Sequence, residues 1–135
     1  MSFWLIGAGA MAKDYALVLQ NLGTKFEVIG RSADSAKNFE METGLTVRQG
    51  GVKSALENSK APGQAIVAVG VEHLAKVTSE LTMAGTSQIL IEKPGGINTK
   101  EIRELCQTVA RHGAIVYVAY NRRFYSSTTL ARELI

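Results

Sequence analysis

Short apolar runs alternate along this chain with longer stretches in which apolar residues recur every three or four positions. The runs predict strands buried on both faces, and the spaced stretches predict amphipathic helices. Phe3-Trp4-Leu5-Ile6 is the first such strand, ended by Gly7. Met11, Tyr15, Val18 and Leu22 follow at +4, +3 and +4, which predicts one apolar helix face, stopped by Gly23. Phe26 to Ile29 is a second strand. Ser32 is a good N-cap for a helix carrying Ala36 and Phe39 and ended by Gly44. Leu45-Thr46-Val47 is a weaker strand, and Val52 to Glu57 a short helix.

Ala65 to Val69 is the next strand. Leu74, Val77, Leu81 and Ala84 then recur at helical spacing, closed by Gly85. Ile89-Leu90-Ile91 is a strand again. Asn98, with Glu101 three residues on, resembles a capping box for a helix that buries Ile102, Leu105 and Val109. Ala114 to Ala119 is the last strand, and a further helix is expected to begin at Ser126 and run to Ile135. Strands alternating with helices imply crossover units on a parallel sheet. Right-handed crossovers then place helices on both faces, so the expected fold is α/β, a doubly wound parallel sheet.

Composition narrows the functional classes. A chain of 135 residues, 46% hydrophobic and 20% charged, supports one globular core and excludes a disordered chain. One cysteine, Cys106, excludes a disulfide framework, and with only two histidines, His73 and His112, no metal site is expected. The net charge of +3 is spread along the chain rather than gathered in a stripe, which argues against nucleic acid as a partner. The longest uncharged run, Met1 to Ala12, is too short to span a membrane and lacks the basic start of a signal peptide. A cytoplasmic location is the expectation.

Gly7-Ala8-Gly9-Ala10-Met11-Ala12 reads Gly-x-Gly-x-x-Ala between the first strand and the first helix. In that context the first glycine permits a tight turn. The second lets backbone approach a pyrophosphate, and the small Ala12 lets helix and strand pack closely. The helix N-terminus, with free N–H groups and a positive dipole end, favours the anion. After the second strand comes Gly30-Arg31-Ser32 in place of the acid that an NAD site usually sets there for the ribose hydroxyls. Arg31 can grip a 2′-phosphate, Ser32 can donate to it, and Lys37 adds charge. The expected cofactor is NADP rather than NAD. The missing acid also argues against an S-adenosylmethionine site.

Two later motifs stand at strand ends: Glu92-Lys93-Pro94-Gly95-Gly96, and Tyr120-Asn121-Arg122-Arg123-Phe124. With the glycine loop, and with His73 opening the helix after the Ala65–Val69 strand, they make the whole chain resemble the N-terminal half of the Gfo/Idh/MocA oxidoreductase family. The resemblance implies a Rossmann domain over residues 1–120 and hydride transfer to or from a sugar, inositol or nucleotide sugar. It implies that Lys93 is catalytic and faces both nicotinamide and reacting hydroxyl. Glu92 would lie beside the nicotinamide ribose, Val69, Gly70 and His73 would line the cofactor, and Asn121 and Arg122 would reach toward substrate. It implies a cis Lys93–Pro94 bond. It also makes residues 121–135 a lead-in to a second, substrate-binding domain, through which any oligomer would mainly form. The family's frequent proline after its Arg-Phe pair is Ser126 here, and Gly95-Gly96 stand where a bulkier pair is common.

Simpler roles suit the remaining candidates. Cys106, beside Leu105 and near Val109, reads as core filler, His112 as a cation at a helix end, and Trp4 as packing. Two function classes stay open: the cofactor-binding part of an NADP-dependent dehydrogenase, inactive by itself, and a nucleotide-binding module or split-enzyme half without turnover.

Overall fold

The computed structural model describes residues 2–134. Six parallel strands form one sheet: β1 (Phe3–Ile6), β2 (Glu27–Ile29), β3 (Val47–Arg48), β4 (Gln64–Val67), β5 (Gln88–Ile91) and β6 (Ile115–Val118), in the order β3-β2-β1-β4-β5-β6. The chain runs outward from β1 to β3, crosses back to β4 and runs outward again. The order therefore reverses between β1 and β4, which pair directly through Phe3 to Ile6 and Gln64 to Val67. A doubly wound sheet opens a crevice at the carboxyl ends of the strands at that point.

Side chains alternate across each strand, so the apolar runs feed two cores. Leu5, Val28 and Ile66 face one side, where α1 (Ala10–Asn21) and α2 (Ala33–Thr43) supply Ala12, Ala16, Leu19, Ala36 and Phe39. Trp4, Ile6, Val67, Ile89 and Ile91 face the other, under α3 (Gly51–Asn58), α4 (Val71–Met83) and α5 (Thr99–His112). The expected fold class is what forms. Trp4 is packing, as expected, at 1% exposure, with the Arg48 guanidinium 6.0 Å from its ring centre. Among the described residues no helix is long and apolar enough to cross a membrane.

Two expectations about buried faces are corrected. In α1 the buried residues are Ala12, Ala16 and Leu19, while Met11, Val18 and Leu22 are exposed and Tyr15 is half-buried. Small side chains let the helix settle close to β1, so the bulkier stripe turns outward. Cys106 is exposed and fills no core. It follows the buried Leu105 by one residue, and one step around a helix is about 100°.

Helix α5 carries the expected N-terminal signal with one difference. The Asn98 side chain accepts from Glu101 N at 3.0 Å, and Glu101 Oε2 accepts from Ile97 N at 3.0 Å, one residue further back than in a capping box. Asn98→Ala is expected to lower stability by about 1 kcal/mol, read as a lower urea midpoint. An unchanged midpoint would mean that Glu101 alone holds this end. At the other end His112 Nδ1 lies 2.9 Å from the Thr108 carbonyl in the last turn, consistent with the helix-end role expected of it. A short 3-10 turn, Asn121–Phe124, then leads into α6 (Ser126–Glu133). The far end of that expected helix, Ile135, lies outside the described residues.

Candidate functional site

Every loop singled out in the sequence leaves the sheet at the same carboxyl edge. The β1–α1 loop is held tightly there. Gly7 N donates to Ile29 O at 2.8 Å on one side, and Ala68 N donates to Ile6 O at 2.8 Å on the other. Gly7 has φ +123°, and a Cβ there would lie 2.1 Å from the Ala68 carbonyl oxygen. Only glycine fits this crossing of β1 past the end of β4. Gly30 is closed in as well, because a Cβ there would sit 2.7 Å from Val47 Cγ1.

Gly9 is different. It is the N-cap of α1, and a Cβ there would meet nothing within 4 Å. No side chain caps this helix, and its first turn holds no acidic residue. By contrast, α2 and α5 begin with capping side chains and an acid. The N–H groups at the start of α1, around Ala10 and Met11, thus face open space with a positive dipole end behind them. This is a cradle that fits a pyrophosphate.

Arg31 follows β2 and His73 lies in the first turn of α4, and the structure brings them together at 2.8 Å, Nη1 to Nε2. A guanidinium only donates, so in this contact the ring nitrogen is the acceptor. The Glu72 carboxylate lies 3.5 Å from the same nitrogen. Arg31 keeps its other N–H groups for solvent or ligand. Ser32 caps α2: its hydroxyl accepts from Ser35 N at 3.2 Å and donates to Ser35 Oγ at 3.1 Å. Lys37 is exposed on α2, and among the described residues it makes no ion pair. Val69 and Gly70 lead from β4 into α4, with Gly70 as its N-cap and the Glu72 carboxylate folded back over it.

Glu92 and Lys93 follow β5. Glu92 is anchored by its backbone, N to Val67 O at 2.9 Å and O from Gly95 N at 3.0 Å. Its Oε1 accepts from the Tyr15 hydroxyl at 2.5 Å. Burial raises the Tyr15 phenol well above its ordinary value, and the hydrogen bond to Glu92 and that residue's charge push the same way. Lys93 is exposed at the rim and joined to Pro94 by the expected cis bond. Gly95 and Gly96 are both buried; a Cβ on either would lie 3.2 Å from Ile102 Cδ1, which leaves little room for a bulkier pair.

Beside this rim lies an open apolar groove of about 670 Å³, between the outward stripe of α1 and the segment after β6. Met11, Tyr15 and Val18 form one wall, and Tyr117, Asn121 and Phe124 belong to the other. Asn121 lines the groove. Arg123 lines it and Arg122 does not. Tyr15 is the residue of this site that local pattern misses: beyond its place in the helix stripe, its phenol reaches the strand-end acid Glu92. Among the described residues no three His, Cys, Asp or Glu side chains gather as a metal site.

The Gfo/Idh/MocA model, described as oxidoreductase family, NAD-binding Rossmann fold, matches residues 1–120. The trans-1,2-dihydrobenzene-1,2-diol dehydrogenase of Macaca fuscata fuscata is 26% identical over 136 residues, covering 97% of this chain and 40% of that protein. The chain thus spans 40% of the length of this curated relative. The WlbA dehydrogenase from Chromobacterium violaceum, solved with NADH and UDP-GlcNAcA, is similar in fold. Its TM-score is 0.83 at 16% identity, over 98% of this chain and 39% of that one. Biliverdin reductase from Synechocystis sp. PCC 6803, solved with biliverdin and NADP+, has a TM-score of 0.78 at 18% identity, over 98% of this chain and 42% of that one.

Proposed function

Because this chain belongs to the Gfo/Idh/MocA oxidoreductase family, we propose that it is the cofactor-binding part of an NADP(H)-dependent dehydrogenase acting on a sugar, inositol or nucleotide sugar. The observation that carries this reading is the convergence on one rim of an uncapped helix N-terminus, a strand-end arginine in place of an acid, and a strand-end Glu-Lys pair. The N–H groups of Ala10 and Met11, with the backbone of Gly7, Ala8 and Gly9, take the pyrophosphate. The backbone of Gly30 lies beside the adenosine ribose, and Arg31, Lys37 and the Ser32 hydroxyl, turned from Ser35 Oγ, take its 2′-phosphate. Val69, Gly70 and His73 close the β4 side, and Glu92 accepts from the nicotinamide ribose.

The bound nicotinamide supplies or accepts the hydride. Lys93, exposed at the rim, holds the substrate oxygen and carries its proton. Asn121 and Arg122 orient the substrate's hydroxyls. Residues 121–135 lead into a substrate-binding domain, and the exposed stripe of Met11, Val18, Leu22 and Phe124 suits a surface that another domain covers.

Residues 1–135 by themselves are expected to bind the reduced dinucleotide and to turn over no member of a panel of sugars, inositols and nucleotide sugars. Holding the reacting carbon against the nicotinamide is worth several kcal/mol of barrier, and the open rim offers little to hold it. Cofactor fluorescence reads binding, and absorbance of the reduced cofactor reads turnover. Turnover that disappears in Lys93→Ala would show a complete catalytic site within these residues. Absence of binding would end the proposal.

A further inference from the structure

We infer that Tyr15 is a positioning residue for Glu92: its hydroxyl takes Oε1 of the carboxylate and so commits Oε2 to the nicotinamide ribose of a bound dinucleotide. This rests on the reading above that Glu92 stands beside that ribose.

The contact joins residues 77 positions apart, and both side chains are half-buried. Glu92's backbone is fixed at N and O by Val67 and Gly95, and the Tyr15 hydroxyl is the hydrogen-bond donor to its side chain among the described residues. A glutamate has three rotatable side-chain bonds, and ordering it on binding costs rotamer entropy. With one oxygen already held, that cost falls on folding rather than on ligand binding. A phenol suits the task. It can donate to a carboxylate while its ring packs, and a phenol keeps its proton at working pH, the more so with its ionisation pushed up by burial.

Tyr15 also belongs to α1, the helix whose N-terminus forms the pyrophosphate cradle. A helix is a stiff rod, so the group that takes the pyrophosphate and the group that orients the ribose acceptor move together. Cradle and ribose end are thereby kept at a fixed separation along the dinucleotide.

Tyr15→Phe keeps the ring and removes only the donor. It is expected to weaken NADPH binding about tenfold, as loss of a hydrogen bond to a charged group would. It should leave 2′,5′-ADP, which lacks the nicotinamide ribose, bound as before. A hydrogen bond that merely staples α1 to β5 would weaken both ligands alike or neither, and either result overturns the inference. Glu92→Gln is the companion variant. If it weakens NADPH while Tyr15→Phe is silent, the positioning role falls and the ribose reading stands. If Glu92→Gln leaves NADPH binding unchanged, the ribose reading falls and the inference with it. In the double variant the two losses should not add, because each removes the same oriented acceptor.

Discussion

Gly7→Ala is expected to lower the melting temperature by roughly 10–20 °C, from a loss of about 3–5 kcal/mol. Two penalties coincide at this position. A side chain at φ +123° is strained wherever it occurs. The added Cβ would also sit 2.1 Å from the Ala68 carbonyl oxygen and 2.9 Å from its carbon, both backbone atoms that cannot rotate aside. Relief requires the ends of β1 and β4 to part. Those ends are tied by the Ala68 N to Ile6 O hydrogen bond, and Gly7 N to Ile29 O ties β1 to β2 on the other side, so the strain is shared with the centre of the sheet. Against a typical total of about 5–15 kcal/mol this leaves a marginal fold. Gly9→Ala is the control. Its Cβ meets nothing within 4 Å, so the fold should stand within about 1 kcal/mol, while the methyl occupies the cradle and weakens dinucleotide binding. Thermal melts followed by circular dichroism, with cofactor titrations on both variants, separate the two glycines. A Gly7→Ala chain that melts with the parent would show that the β1–β4 crossing has slack.

Local pattern carries most of this architecture because strand and helix signals are local. Phe3 to Ile6 is a strand in sequence and structure alike, and Gly44 ends its helix as expected, as a left-handed cap. What local pattern misses is which of two plausible helix faces packs. The bulky stripe from Met11 to Leu22 has the stronger periodic signal, yet the close approach of α1 to the sheet selects the alanines. Cys106 fails for a related reason: neighbours in sequence diverge around a helix.

The site divides in the same way. The loop glycines, Arg31, Glu92 and Lys93 are visible because they sit at strand ends, where a doubly wound sheet exposes its ligand edge. The pairings among such residues are not visible. Arg31 meets His73 across 42 residues, and Tyr15 meets Glu92 across 77. Those contacts depend on the strand order, with β4 beside β1 and β5 beyond it, and no short window of sequence encodes that order.

On the proposed reading, NADPH binds this chain more tightly than NADH, and Arg31→Ala removes most of the difference. Arg31 spends one N–H on His73 Nε2 and keeps the rest of its five donors, which is enough for a bidentate grip on a phosphate. Hydrogen bonds to charged groups contribute about 1.5–3 kcal/mol, equivalent to roughly 10- to 150-fold in affinity. Arg31 is exposed, so water and salt weaken the grip, and the lower part of that range is the expectation. NADH has no 2′-phosphate and should lose no more than about twofold in Arg31→Ala, since it forfeits no charge-assisted bond. Arg31→Asp should go further and favour NADH, because the new carboxylate repels a phosphate and accepts from ribose hydroxyls. Raising the salt concentration should narrow the parent's preference far more than that of Arg31→Ala, which separates an ionic grip from a change in cleft shape. Fluorescence titration of both cofactors against the three chains at low and high salt reads all of this. Equal affinities in the parent would remove the reason for choosing NADP, and an NADPH preference undiminished in Arg31→Ala would remove Arg31 from the 2′-phosphate site.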